Sequence, residues 1–140
     1  PPCYASASPC GDLFRASLAV TVPPPFTLVP VALHPRRLRE RGFNQAELLA
    51  RELARLLDAP LLTGLLRRTA DTSSQVETAT RAERLQNVRD AFASAGTLDG
   101  EAIVLVDDVT TTGATLSSAA RVLLSAGASR VYGLTYAHEE

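Results

Sequence analysis

Apolar and polar positions change their period several times along the chain, and each change marks an element. Leu28-Val29-Pro30-Val31-Ala32-Leu33 is a continuous apolar run rich in β-branched residues, the pattern of a strand buried on both faces. Pro30 strains that reading, because proline donates nothing to a sheet ladder. The following segment, His34 to Arg41, is dominated by arginine and reads as a basic loop. From Asn44 the period becomes helical. Asn44 is a cap, Glu47 closes a capping box, and Phe43 with Leu48 occupies the places of a hydrophobic staple. Ala46, Leu49, Leu53 and Leu56 then recur on one face, and Pro60 ends the helix.

Leu61 to Leu66 reads as a second strand running into Arg67-Arg68. Between Thr69 and Thr80 stand four Thr, two Ser and Gln75, with Val76 as the one large apolar residue, so this stretch is expected to be a mobile loop. Arg81 to Phe92 carries Leu85, Val88 and Phe92 at helical spacing. Ala102-Ile103-Val104-Leu105-Val106 is a buried strand, and a helix from about Thr115 to Ala126 turns Leu116, Ala119, Ala120, Leu123 and Leu124 inward before Gly127 stops it. Val131 to Tyr136 closes the series. Strands alternating with helices over short links predict an α/β fold, a Rossmann-like parallel sheet flanked by helices. Residues 1–27, ending in Pro23-Pro24-Pro25, are read as a lead-in, and 28–140 as one domain.

Composition narrows the possibilities. At 140 residues, 46% hydrophobic and 21% charged, the chain suits one ordinary globular core. No apolar run reaches the roughly 20 residues of a membrane helix, and no signal-peptide pattern opens the chain, so a soluble cytoplasmic protein is expected. Fourteen basic residues against fifteen acidic ones exclude a uniformly basic polyanion binder. The balance is nevertheless regional, since residues 34–55 hold six Arg against three Glu. Every basic residue is Arg, so no Lys is present to act as nucleophile or phosphate clamp. Cys3 and Cys10 supply at most half of a four-ligand zinc site, and bound zinc is not expected there.

The chemistry concentrates after the Ile103 strand. Thr111, Thr112, Gly113, Ala114 and Thr115 are small and hydroxyl-rich, and they open a helix, where backbone N–H groups suit a phosphate monoester. Asp107 and Asp108 directly precede them and would repel phosphate, so they require a different partner, met by a vicinal diol and a hard cation. A 5-phosphorylated ribose has both parts. The chain has no Walker A loop and no G-x-G-x-x-G dinucleotide fingerprint.

The segment Val104 to Thr115, V-L-V-D-D-V-T-T-T-G-A-T, resembles the phosphoribosyl-pyrophosphate (PRPP) motif of type I phosphoribosyltransferases. Glu40-Arg41-Gly42-Phe43-Asn44-Gln45-Ala46 and the spacing of Arg68, Gln75, Arg84, Asn87 and Phe92 resemble the ComF family of competence proteins within that superfamily. The resemblance implies a type I phosphoribosyltransferase fold with a reduced base-selecting hood, and a lead-in that is a remnant of a zinc module or hood. It implies that Asp107 and Asp108 hold the ribose hydroxyls near Mg²⁺ carried by PRPP and serve any catalysis. Thr111 to Thr115 would take the 5′-phosphate. Leu33, His34, Pro35, Arg36 and Arg37 match the pyrophosphate loop, and the Thr69 to Thr80 loop the flexible loop that closes over PRPP.

The function so implied is assistance to incoming single-stranded DNA in natural transformation, alongside other competence and recombination-mediator proteins. The alternative is an active PRPP-dependent transferase in base salvage or biosynthesis. Candidate DNA or phosphate contacts are Arg36, Arg37, Arg39, Arg41, Arg68 and Arg84. With four Phe and three Tyr in the chain, strand binding is expected to be mostly electrostatic.

Overall fold

The computed structural model describes residues 22–69, Thr80, Ala82, 91–110 and 113–138. Its central sheet has three parallel strands in the order β1 (Thr27–Pro30), β4 (Ala102–Thr110), β5 (Arg130–His138). Leu61 adds a single parallel bridge to Leu28 on the outer side of β1. Helix α2 (Gln45–Leu57) packs on one face of this sheet against β1 and β4; α3 (Ala114–Ser125) covers the other.

Pro30 fits without cost for a directional reason. The Leu28 N–H bonds to the Pro60 carbonyl, away from β4, whereas the Val31 N–H bonds to the Val106 carbonyl. Residues two apart aim their N–H groups to the same side, so the donor that Pro30 lacks would have pointed outward past the Leu61 bridge and not into the β1–β4 ladder.

Alternation along the strands divides the core in two. Leu28, Val104 and Val106 join Ala50 under α2, together with Val22 and partly buried Phe26, Leu49 and Leu53. Val29, Ile103 and Leu105 join Ala119 and Leu123 of α3 on the opposite face. Both β1 and β4 are therefore buried on two sides, as their unbroken apolar runs predict.

Several expectations are corrected. Leu61 to Leu66 is not one strand: after the Leu61 bridge the chain turns, and only Leu66–Arg68 is extended, as β2. Phe92 does not end a helix, since it begins β3 (Phe92–Ser94), which pairs antiparallel with β2 through Leu66↔Ser94 and Arg68↔Phe92. This ribbon packs Leu66 and Phe92 beneath α3. Arg81 and residues 83–90 of the expected helix, and most of the Thr69 to Thr80 loop, lie outside the described residues. Leu124, expected inward, is exposed, and Ser118 takes a buried place on α3 instead.

The basic loop is largely a helix, α1 (Pro35–Arg41), with no buried residue. Hydrophobic periodicity could not reveal it, because a helix that buries no residue has no apolar period; its ends are marked by caps instead. His34 Nδ1 accepts from the Arg36 N–H, Pro35 starts the first turn with its φ already set, and Gly42 ends the helix at φ 81° with its N–H on the Leu38 carbonyl. An Arg36–Glu40 ion pair at 3.1 Å spans one turn.

Candidate functional site

The strands end at different levels. Pro30 pairs with Val106, so β4 runs on from Asp107 to Thr110 with β5 on one side and no β1 residue on the other. The chain following β1 leads to α2 on one face and that following β4 leads to α3 on the opposite face. A cleft beyond the carboxyl ends of two such diverging strands is the usual ligand position in parallel sheets.

A cleft of about 180 Å³ lies there, lined by Val31, Ala32, Leu33, Arg41, Asn44, Gln45, Arg68, Asp107, Asp108, Val109 and Thr115. The two-residue period puts Asp107 on the α3 side with Leu105, and Asp108 on the α2 side with Val106. One oxygen of each carboxylate is held by backbone: Asp107 Oδ1 accepts from the Asp108 N–H and Asp108 Oδ1 from the Val109 N–H, both at 2.9 Å. Burial pushes the Asp107 carboxyl up to about 7. That value is the balance of burial, the largest cause, with the side-chain hydrogen bond and like charge of Asp108, which also raise it, against the Asp108 backbone N–H and Arg68, which lower it. At neutral pH the pair therefore strains against a full double charge, which hydroxyl donors or a cation would relieve.

Arg68 reaches this cleft from β2, its guanidinium carbon 5.4 Å from the centroid of the Phe92 ring. The β2–β3 ribbon thus delivers a cation beside the acids, which the reading of one continuous strand could not foresee. On the far side, α3 begins at Gly113 (φ 73°), with no side-chain cap and no acidic residue in its first turn. A Cβ at Gly113 would meet no described protein atom within 4 Å, so within the fold the residue is required by its left-handed backbone. Thr115, in the first turn of this helix, lines the same cleft as the acids.

The expected site residues are thus partly gathered. Asp107, Asp108, Thr115, Leu33, Arg41 and Arg68 line the cleft, whereas Arg36 and Arg39 stand exposed on α1. Of the expected pyrophosphate loop, Pro35, Arg36 and Arg37 belong to the first turn of α1, after the His34 cap. Thr111, Thr112, Arg84, Cys3 and Cys10 lie outside the described residues. Two further cleft residues, Asn44 and Gln45, are ones that the sequence marks only as a helix cap and as part of the family signature. Asn44 caps α2 by accepting from the Ala46 N–H at 3.1 Å, and its Nδ2 also donates to the Val31 carbonyl at 3.0 Å, tying the end of β1 to the start of α2. Gln45 follows it into the lining. The signal was positional: a capped helix beginning shortly after a buried strand sets its first residues at that strand's carboxyl end.

Comparison with known proteins agrees with this geometry. Residues 42–135, from the α1–α2 joint to β5, match the phosphoribosyl transferase domain. The chain belongs to the phosphoribosyl transferase family. Competence protein F of Haemophilus influenzae is 36% identical over 118 residues, covering 81% of this chain and 51% of that protein. Competence protein ComFC of Bacillus subtilis is 41% identical over 102 residues, covering 73% and 40%. DNA utilization protein YhgH of Escherichia coli K12 is 38% identical over 107 residues, covering 76% and 47%. The resemblance to ComF proteins thus holds, and the chain spans about half the length of the curated relatives it matches. Among solved phosphoribosyltransferases, the purine enzyme of Pyrococcus horikoshii superposes with a TM-score of 0.56 at 16% identity, covering 93% of this chain and 79% of that one. The hypoxanthine enzyme of Staphylococcus aureus superposes at 0.52 and 13% identity, covering 90% and 59%. These likenesses establish the type I phosphoribosyltransferase fold.

Proposed function

We propose that the cleft binds PRPP or a closely related sugar phosphate with Mg²⁺, and that the protein uses this site while handling single-stranded DNA in natural transformation. The observation that carries the reading is the adjacent Asp107–Asp108 pair at the end of a fully buried strand, in one cleft with the start of α3. Asp107 and Asp108 would accept the ribose hydroxyls, while Gly113 to Thr115 would receive the 5′-phosphate. Arg68 and Arg41 would offset charge on the pyrophosphate.

Among the described residues, no group of three or more His, Cys, Asp or Glu could hold a metal. Two adjacent carboxylates nevertheless suit Mg²⁺, which is commonly held by one or two carboxylates and completed by oxygens of a phosphorylated ligand. When bound, Mg²⁺ would neutralise charge on the pyrophosphate. The protein's own part is to orient the sugar, to hold a proton on the Asp107 carboxyl near neutrality, and to present cations beside it.

The DNA role is supported by the names of the relatives, two competence proteins and a DNA utilization protein. A cytoplasmic setting and association with other DNA-uptake and recombination-mediator proteins are parts of the same reading. Among the described residues no helix is long and apolar enough to cross a membrane. The test is transformation frequency in cells carrying Asp107→Asn with Asp108→Asn, alongside pyrophosphate release by the purified protein against a panel of bases. A loss of transformation without base-dependent pyrophosphate release is expected. Unaltered transformation would separate the cleft from DNA handling, and base-dependent release would make the salvage transferase the better reading.

A further inference from the structure

The Arg41-Gly42-Phe43-Asn44-Gln45 segment has uses that capping does not exhaust. Arg41 and Gln45 line the sugar-phosphate cleft. Between them Phe43 is 46% exposed, and Leu38 on α1 is 41% exposed. A staple contact with Leu48 does not account for Phe43, because Leu48 is itself 55% exposed. An aromatic ring half in water is an unusual use of one of only four Phe in the chain.

Its surroundings are strongly cationic. α1 carries four Arg and one Glu in seven residues. The Glu is committed to Arg36, at 3.1 Å. Arg37 and Arg41 stand one turn apart on a shared face, and Arg39 is exposed. An exposed ring bordered by arginines has the make-up of a single-strand contact, in which cations follow the phosphates and an unstacked base lies on the ring. A duplex keeps its bases stacked and can use the arginines alone.

Resting on the proposed sugar-phosphate cleft, we infer that α1 and Phe43 form a single-stranded nucleic acid contact that shares Arg41 with the cleft, so that strand and sugar phosphate compete. One guanidinium cannot serve two anions fully, and a coupling of this kind is reciprocal: each ligand weakens the other by the same factor. The sugar phosphate thereby becomes a release signal for the strand.

The experiment is fluorescence anisotropy of labelled oligo(dT) at low salt, titrated with the 140-residue chain, without and with saturating PRPP and Mg²⁺. The expected result is roughly tenfold weaker dT binding with PRPP present. Phe43→Ala should weaken dT roughly tenfold, about the worth of one stacked base, and leave PRPP affinity measured by calorimetry unchanged. Arg41→Gln should weaken both ligands and diminish their competition. Arg55→Gln, which removes an exposed charge paired with Glu52 on α2, is the control and should change neither. Far-UV circular dichroism checks that each variant is folded.

Unchanged dT affinity at demonstrated PRPP saturation would overturn the competition while leaving the cleft intact. Equal binding of Phe43→Ala and the parent chain to dT, or of duplex and single strand to the parent, would overturn the strand contact. If calorimetry detects no PRPP binding, the sugar-phosphate reading and the competition fall together, and the dT response of Phe43→Ala still decides the strand contact.

Discussion

The two walls of the cleft are built on opposite principles. On one side, Asp107 and Asp108 continue a strand whose Ile103 to Val106 segment is at most 1% exposed, clamped between α2 and α3. On the other, α1 has no buried residue; His34 and Gly42 cap its ends and an exposed Arg36–Glu40 pair spans one turn. The first wall places charged groups where the core cannot yield. The second offers arginines on a helix that buries no residue. The difference teaches that one site can combine a rigid, core-anchored recognition element with a surface element open to larger partners.

Breaking each wall should therefore have unequal consequences. Leu105→Ala beneath the acids should cost about 2–5 kcal/mol in urea unfolding, because the enclosed site cannot collapse fully. Leu38→Ala on α1 should stay within about 0.5 kcal/mol in the same measurement. Equal losses would mean that α1 is packed more firmly than its exposure indicates.

Asn44 joins the walls and comes next. Asn44→Ala removes both the α2 cap and the bond to the Val31 carbonyl, for a loss of about 2 kcal/mol. Asn44→Asp retains a capping oxygen and loses the donor, so it should recover roughly half of that stability while still weakening the cleft's ligand.

The third comparison uses pH. The folded chain holds the Asp107 proton at about 7, against an ordinary 3.8, so it binds that proton more tightly than the unfolded chain does. The associated stability is fully present below about 3.8 and is lost as pH rises through about 7. Asp107→Asn should flatten this decline and, once partial solvent screening is allowed for, raise stability at pH 8 by on the order of 1 kcal/mol. Denaturant melts across that window check it; an unchanged pH slope in the variant would assign the decline to other groups. The smallest effect is expected for Glu40→Gln, which breaks the exposed Arg36 pair and should cost about 0.2–0.5 kcal/mol, less in high salt.

These contrasts also explain what could be read in advance. Ile103 to Val106 and the apolar face of α2 announce themselves because burial imposes a period on the residues, and Asp107 and Asp108 are conspicuous by following such a strand. The β2–β3 ribbon was hidden, because three-residue strands are too short to show alternation and Phe92 fits a helical spacing as well as a strand. α1 was hidden because a helix that buries nothing has no apolar period, although its His-Pro start and Gly stop were present in the sequence. Arg68 could be suspected from charge, but only the ribbon brings it beside Asp107.

The central claim is that the core-anchored acids make the cleft a sugar-phosphate site. Isothermal titration of the chain with PRPP and Mg²⁺, repeated on the Asp107→Asn, Asp108→Asn double variant, tests it most directly. Saturable binding at one site in the parent, lost in the folded variant, is the predicted result. No binding by the parent, or equal binding by both proteins, would contradict the account.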